Sequence, residues 1–99
     1  MAEPQLDPVI HAQLRLRIAA MLAVVDEAEF SKVRDALEVS DSVLSKHVAA
    51  LVEAGYVGNR KSIGPGRRTT WLSLTRTGRK ALGAHVAALR ALVDPLGAA

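Results

Sequence analysis

The chain has 99 residues, enough for one small domain and too few for two with independent cores. Its 49% hydrophobic content excludes a disordered chain, and the absence of Cys excludes a disulfide scaffold, a thiolate metal site and a cysteine nucleophile. The net charge of +3 hides a split: residues 1–58 hold five Lys/Arg against nine Asp/Glu, and residues 59–99 hold eight against Asp94 alone.

Residues 1–7 read as a short tail. Its acids and Pro4 stand where a signal peptide needs a basic start and an apolar stretch, and no apolar run is long enough to span a membrane, so a cytoplasmic location is expected. A domain is expected over residues 8–96. Asp7-Pro8, an acceptor followed by proline, predicts a helix start. This first helix is expected over 8–25, with Ile10, Leu14, Ile18, Met21 and Val25 on one stripe. Val9, Ala12, Leu16, Ala20 and Ala23 fall on the opposite side, which a rim helix of a monomer would make polar. Asp26, Glu27 and Glu29 read as a solvated acidic loop. A second helix is predicted from an N-cap at Ser31 to Leu37, with Phe30 beneath it and Val33 and Leu37 inward. Ser40 caps a third helix over about 41–54 that stops at Gly55, its core side being Leu44, Val48, Leu51 and Val52. Residues 56–63 and 69–75 read as two strands around Gly64-Pro65-Gly66. The last helix, 78–96, carries Leu82, Val86, Leu89, Val93 and Leu96 on one stripe, with Ala81, His85, Ala88 and Leu92 on an adjacent one. The expected fold is mainly α with a small β-hairpin.

Seven of the eight late cations lie between 60 and 80, a stretch without acids. Such a patch suits a polyanion or an anionic membrane surface, or is a solvated face. Two short helices joined by a tight turn are the ingredients of a helix-turn-helix, whose second helix enters the major groove. With Leu44, Val48 and Leu51 inward, Ser42, Val43 and Lys46 face away, small and acid-free, as a groove about 12 Å wide requires. Ser42 and Ser45 can reach phosphate or base edges, Lys46 can donate to guanine, and Val43 can touch a thymine methyl. Asp41 suits the helix dipole but is unfavourable near phosphate unless a cytosine amino group donates to it.

The segments Leu44-Ser45-Lys46-His47 and Ala54-Gly55-Tyr56-Val57, followed by Gly64-Pro65-Gly66-Arg67-Arg68 and Leu72-Ser73-Leu74-Thr75, resemble the winged-helix regulators related to the MarR and ArsR families. The similarity extends over roughly 8–93, nearest to the small single-domain winged-helix DNA-binding group. It implies a winged helix-turn-helix and a homodimeric transcription factor, read as a bacterial repressor, on a palindromic double-stranded operator. It carries recognition roles to Ser42, Val43, Ser45, Lys46 and His47, and wing roles to Arg67 and Arg68. Glu38 departs from it, since many relatives place Gly in that turn. Arg60 and Lys61 join the candidate wing, 60–70, and strand alternation should bring about two of the four cations to DNA. Helices 8–25 and 78–96, apolar on more than one face, are expected to form a two-fold interface centred on Leu16, Leu89 and Leu92.

His47 reads as a helix-flank group bonded to backbone or phosphate, Trp71 as wing-base core, and His11 and His85 as packed interface histidines. No cofactor or metal is expected, and any effector is unspecified. No phosphate loop, metal motif or nucleophile elbow points to an enzyme. The competing class is a winged helix that docks a protein; charge on the Arg67-Arg68 tip disfavours it, because interface cores are depleted in charge.

Overall fold

The computed structural model describes residues 5–94; the predicted helix end at Leu96 and most of the tail lie outside the described residues. In chain order the elements are α1 (Gln13–Ala23), β1 (Ala28–Glu29), α2 (Phe30–Leu37), α3 (Asp41–Glu53), β2 (Val57–Gly64), β3 (Arg67–Leu74) and α4 (Arg76–Val93). The strands form one antiparallel sheet in the order β1-β3-β2, so the predicted two-stranded hairpin has a third member. Ile18, Leu22, Val33, Leu44, Leu51 and Leu72 fill the core between this sheet and α1, α2 and α3. No helix among the described residues is long and apolar enough to cross a membrane.

The first helix begins five residues later than Asp7-Pro8 predicts. Asp7 Oδ1 does accept from the amides of Val9 (2.8 Å) and Ile10 (3.2 Å), but this closes a single turn. Ala12 is then extended (φ −64°, ψ 128°) before α1 starts. Contacts distant in sequence explain the break. The Tyr56 hydroxyl donates to Asp7 Oδ2 (2.5 Å), and the Asp7 amide donates to His85 Nδ1 (3.0 Å), fastening this turn against α4. At the other end Arg79 donates to the Ala23 carbonyl (2.8 Å) and terminates α1, leaving Val25 outside the helix and 39% exposed.

The second helix also starts differently. Its N-cap is Glu29, without a side-chain bond, and Ser31 lies within the first turn, its hydroxyl 3.4 Å from Glu29 Oε2. The preceding Ala28-Glu29 pair is committed to β1, which sets the helix start at Phe30. Glu38 then takes the left-handed conformation itself (φ 56°, ψ 44°), as a glycine would, and ends α2. Ser40 Oγ accepts from the Val43 amide (3.2 Å) and caps α3, which ends before Gly55 (φ +81°). Between β2 and β3 a two-residue turn places Pro65 first and Gly66 (φ +85°) second, the residue order that a type II turn requires.

The Asp7–Tyr56–His85 contacts tie the N-terminal turn to the end of the helix-turn-helix and to α4. Partial burial pushes the Asp7 carboxyl up, but the Tyr56 hydroxyl, the Ile10 and Val9 amides and His85 together hold it below its ordinary value. The same hydroxyl is shifted up, by its bond to Asp7, by burial and by the carboxylate's charge. Tyr56→Phe is expected to cost about 1 kcal/mol, a charged hydrogen bond discounted for partial exposure. The Asp7 contribution is complete above the unfolded-chain pKa and is lost as pH falls through the lower folded one. The Tyr56 contribution is complete below its unfolded pKa and is lost as pH rises through the higher folded one. Urea melts of the two proteins should therefore differ by a constant amount from about pH 5 to 9 and converge on either side.

Candidate nucleic-acid interface

The interface is built from the outward side of α3 and one face of the β2–β3 hairpin. With Leu44, Val48 and Leu51 buried, α3 leaves Ser42, Ser45 and Lys46 exposed and Val43 38% exposed. Ser42 Oγ lies 3.2 Å from the capping hydroxyl of Ser40, so the helix N-terminus presents two adjacent hydroxyls. His47 is half-buried on the flank. Burial, then the charges of Arg15 and Lys46, hold its pKa below the ordinary 6.5, so it is a neutral donor and acceptor at pH 7.

Asp41 does not stand as a free anion at this surface. Arg34 of α2 donates to Asp41 Oδ1 (2.8 Å) and to Asp35 Oδ1 (2.9 Å), and these two bonds raise its own pKa further. The first turn of α3 is thus offset by a cation that the sequence reading did not nominate. Its signal was the seven-residue separation across a helix-turn-helix corner, which becomes a contact only once both helices are placed.

Register divides the wing into two unlike faces. Arg60 stands opposite Trp71, Lys61 opposite Thr70, Ile63 opposite Arg68 and Gly64 opposite Arg67. Alternation puts Arg60, Arg67 and Trp71 on the outer face, and Asn59, Lys61, Ile63, Arg68 and Thr70 on the inner one, continuous with buried Leu72. On the outer face Arg60 makes two bonds to Glu27 (3.0 and 2.9 Å) with its guanidinium 5.7 Å from the Trp71 ring centre. The hydrogen bond to Arg60 outweighs the effect of burial and holds the Glu27 carboxyl below its ordinary value. Arg67 pairs with Glu29 at 3.5 Å. The predicted solvated acidic loop is therefore an acidic edge that engages two wing cations. Trp71, read as wing-base core, is half-buried on the outer face instead and donates to Ser62 Oγ (3.1 Å). A one-residue offset from Leu72 is the cause, since adjacent strand residues face opposite ways.

Lys61 and Arg68 have no acidic partner among the described residues. The inner face and α3 bound a trough of about 580 Å³, with Ser45 and Ala49 on one side and Asn59, Lys61 and Thr70 on the other. Asn59 and Thr70 were missed in the sequence because only the strand register brings them beside α3. No group of three or more His, Asp or Glu among the described residues is placed to hold a metal.

The far side of the domain is apolar. α4 exposes Gly83, Ala84, Ala87 and Ala91, and its end leaves Leu92 51% and Val93 80% exposed. Leu16 and Leu89 are half-buried. His85, expected at an interface, is instead buried inside the subunit by its bond to the Asp7 amide, with exposed His11 packed edge-on at 5.7 Å.

Residues 14–93 match the family model for a winged helix DNA-binding domain. The chain is 30% identical over 78 residues to the uncharacterized protein MJ0432 of Methanocaldococcus jannaschii, a match covering 79% of this chain and 85% of that protein. Its structure is similar to that of a transcriptional regulator homologue from Pyrococcus horikoshii OT3, with a TM-score of 0.83, 26% identity, and coverage of 91% and 89% of the two chains. HlyU from Vibrio cholerae N16961 has a TM-score of 0.65 and 26% identity, with 89% of this chain and 83% of that one covered.

Proposed function

The chain belongs to the winged helix DNA-binding domain family, and from that premise we propose that it is a sequence-specific regulator that binds double-stranded DNA as a homodimer. The observation that carries this reading is the junction of the exposed α3 face, its one nearby acid paired to Arg34, with the inner wing face bearing Lys61 and Arg68. α3 enters the major groove, where Ser42, Val43, Ser45 and Lys46 meet base edges or phosphate and His47 bonds at the flank. The wing follows the adjacent backbone or minor groove. Arg60 and Arg67 act there mainly by holding the hairpin to the acidic edge, and Lys61 and Arg68 supply the charge that meets DNA.

The exposed small-residue face of α4 and the flank of α1 form the two-fold contact, so the preferred site is a palindrome. A dimer seated on such a site excludes other proteins from the same DNA, and repression is the outcome we propose. Residues 8–96 act as the functional unit, in the cytoplasm, where the DNA is.

Electrophoretic shifts against a randomised duplex pool, with competitor DNA, test the reading. Lys46→Ala is expected to cost about 1–3 kcal/mol on the selected site and to relax preference at one base pair. An equal loss on random DNA would assign Lys46 to phosphate alone. Absence of any salt-dependent DNA binding by the unaltered protein would leave a protein-docking winged helix as the better reading.

A further inference from the structure

Ile63 is 82% exposed, and the core does not use it. It lies one residue before Gly64, at the outer end of the hairpin, directly opposite Arg68. Opposed side chains on one face sit about 5 Å apart at Cβ, so the two form a neighbouring apolar–cationic pair. Both lie on the inner face, the same face as Lys61 and Asn59 beside α3. The turn beyond them holds only Pro65 and Gly66, with no long side chain to shield the pair. Strand propensity accounts for a β-branched residue at 63 but not for an alkyl one in solvent, since Thr would serve the strand as well.

The wing thus offers two kinds of group on one side, while the outer cations are occupied by Glu27 and Glu29. A phosphate rail would need only the cations. The minor groove fits both groups: its narrow A·T tracts concentrate negative potential that attracts Arg, and its sugar walls and base steps accept an aliphatic side chain. A G·C pair adds the guanine amino group to the groove floor, where it would meet the alkyl group.

We propose that the Ile63–Arg68 pair enters the minor groove flanking the major-groove site and makes the wing select A·T over G·C there. The proposal rests on the DNA-binding reading above. For the test, a preferred duplex is selected from a randomised pool with the unaltered protein. Two versions are then made that differ only in A·T or G·C pairs at the flanking minor-groove position. The unaltered protein should bind the A·T version about tenfold tighter, a discrimination of the size that one base pair ordinarily supplies. Ile63→Thr, which keeps the β-branch, should reduce that ratio to about twofold or less, with the slope of log affinity against log salt unchanged because no charge is removed. Arg68→Ala should lower both the ratio and the slope. An unchanged ratio in Ile63→Thr, with the unaltered protein binding DNA normally, would overturn the proposal and leave the DNA-binding reading intact. A shift in sedimentation of Ile63→Thr relative to the unaltered protein would overturn it by placing Ile63 in a protein contact. Failure of the unaltered protein to select any duplex would remove both.

Discussion

Gly78→Ala is expected to destabilise the protein by about 3 kcal/mol, at the upper end for an overpacked site. In a domain of this size that corresponds to a fall of roughly 15 °C in Tm. Gly78 lies in the first turn of α4, and a Cβ there would overlap the Tyr56 carbonyl oxygen and come within 2.7 Å of Leu74 Cδ1. The leucine can swing aside, but the carbonyl cannot, because Tyr56 O accepts from the Thr75 amide (2.9 Å). Thr75 in turn donates its hydroxyl to Gly55 O (2.6 Å) and accepts from the Gly78 amide (2.9 Å). Relief of the clash therefore requires the start of α4 to move away from the chain that links α3 to β2. Gly83→Ala provides the internal control, since its Cβ would meet nothing within 4 Å and φ is not positive. It should stabilise by about 0.5–1 kcal/mol, the ordinary helical gain of Ala over Gly. Urea and thermal melts followed by circular dichroism measure both, and equal melting of Gly78→Ala and the unaltered protein would contradict this close packing.

These glycines show where sequence reasoning stopped. Gly55 was legible because its place after a capped, periodic helix calls for a left-handed residue, and the observed φ of +81° agrees. Gly78 carried no such signal: its constraint comes from a carbonyl 22 positions earlier. The same division runs through the candidate interface. The outward row of α3 follows from the spacing of Leu44, Val48 and Leu51 alone. β1 does not, because a two-residue strand has no period to detect, and the reach of Glu27 and Glu29 to Arg60 and Arg67 exists only in the observed register. Alternation did indicate that two of the four wing cations would face away. It could not say that an acidic edge would hold those two. The helix start at Gln13 was hidden for a related reason, since the partners of Asp7 lie 49 and 78 residues away.

Leu92→Glu is expected to dissociate the proposed dimer while leaving the subunit folded. The side chain is 51% exposed in the single chain and lies on the last turns of α4, beside exposed Val93 and the solvent-facing small residues Ala84, Ala87 and Ala91. Its contacts within its own subunit are few, and its loss should be tolerated there. In a two-fold contact the same position is apolar and is met by its own symmetry mate or a close neighbour, so each mutation inserts two carboxylates at once. Burying an unpaired charge costs about 3–5 kcal/mol, which raises the dissociation constant by at least roughly 100-fold. Sedimentation at micromolar concentration should show a dimer for the unaltered protein and a monomer for Leu92→Glu, with matching far-ultraviolet circular dichroism. DNA binding supplies a second readout. Once the subunits are separate, each half-site must be occupied independently and the gain from effective concentration disappears, so affinity for the palindrome should fall by about 100-fold or more. Affinity for an isolated half-site should remain as it was, because α3 and the wing are untouched. A monomeric unaltered protein would defeat the dimer outright. A dimer that survives Leu92→Glu would instead place the contact elsewhere on the α1–α4 surface, away from the end of α4.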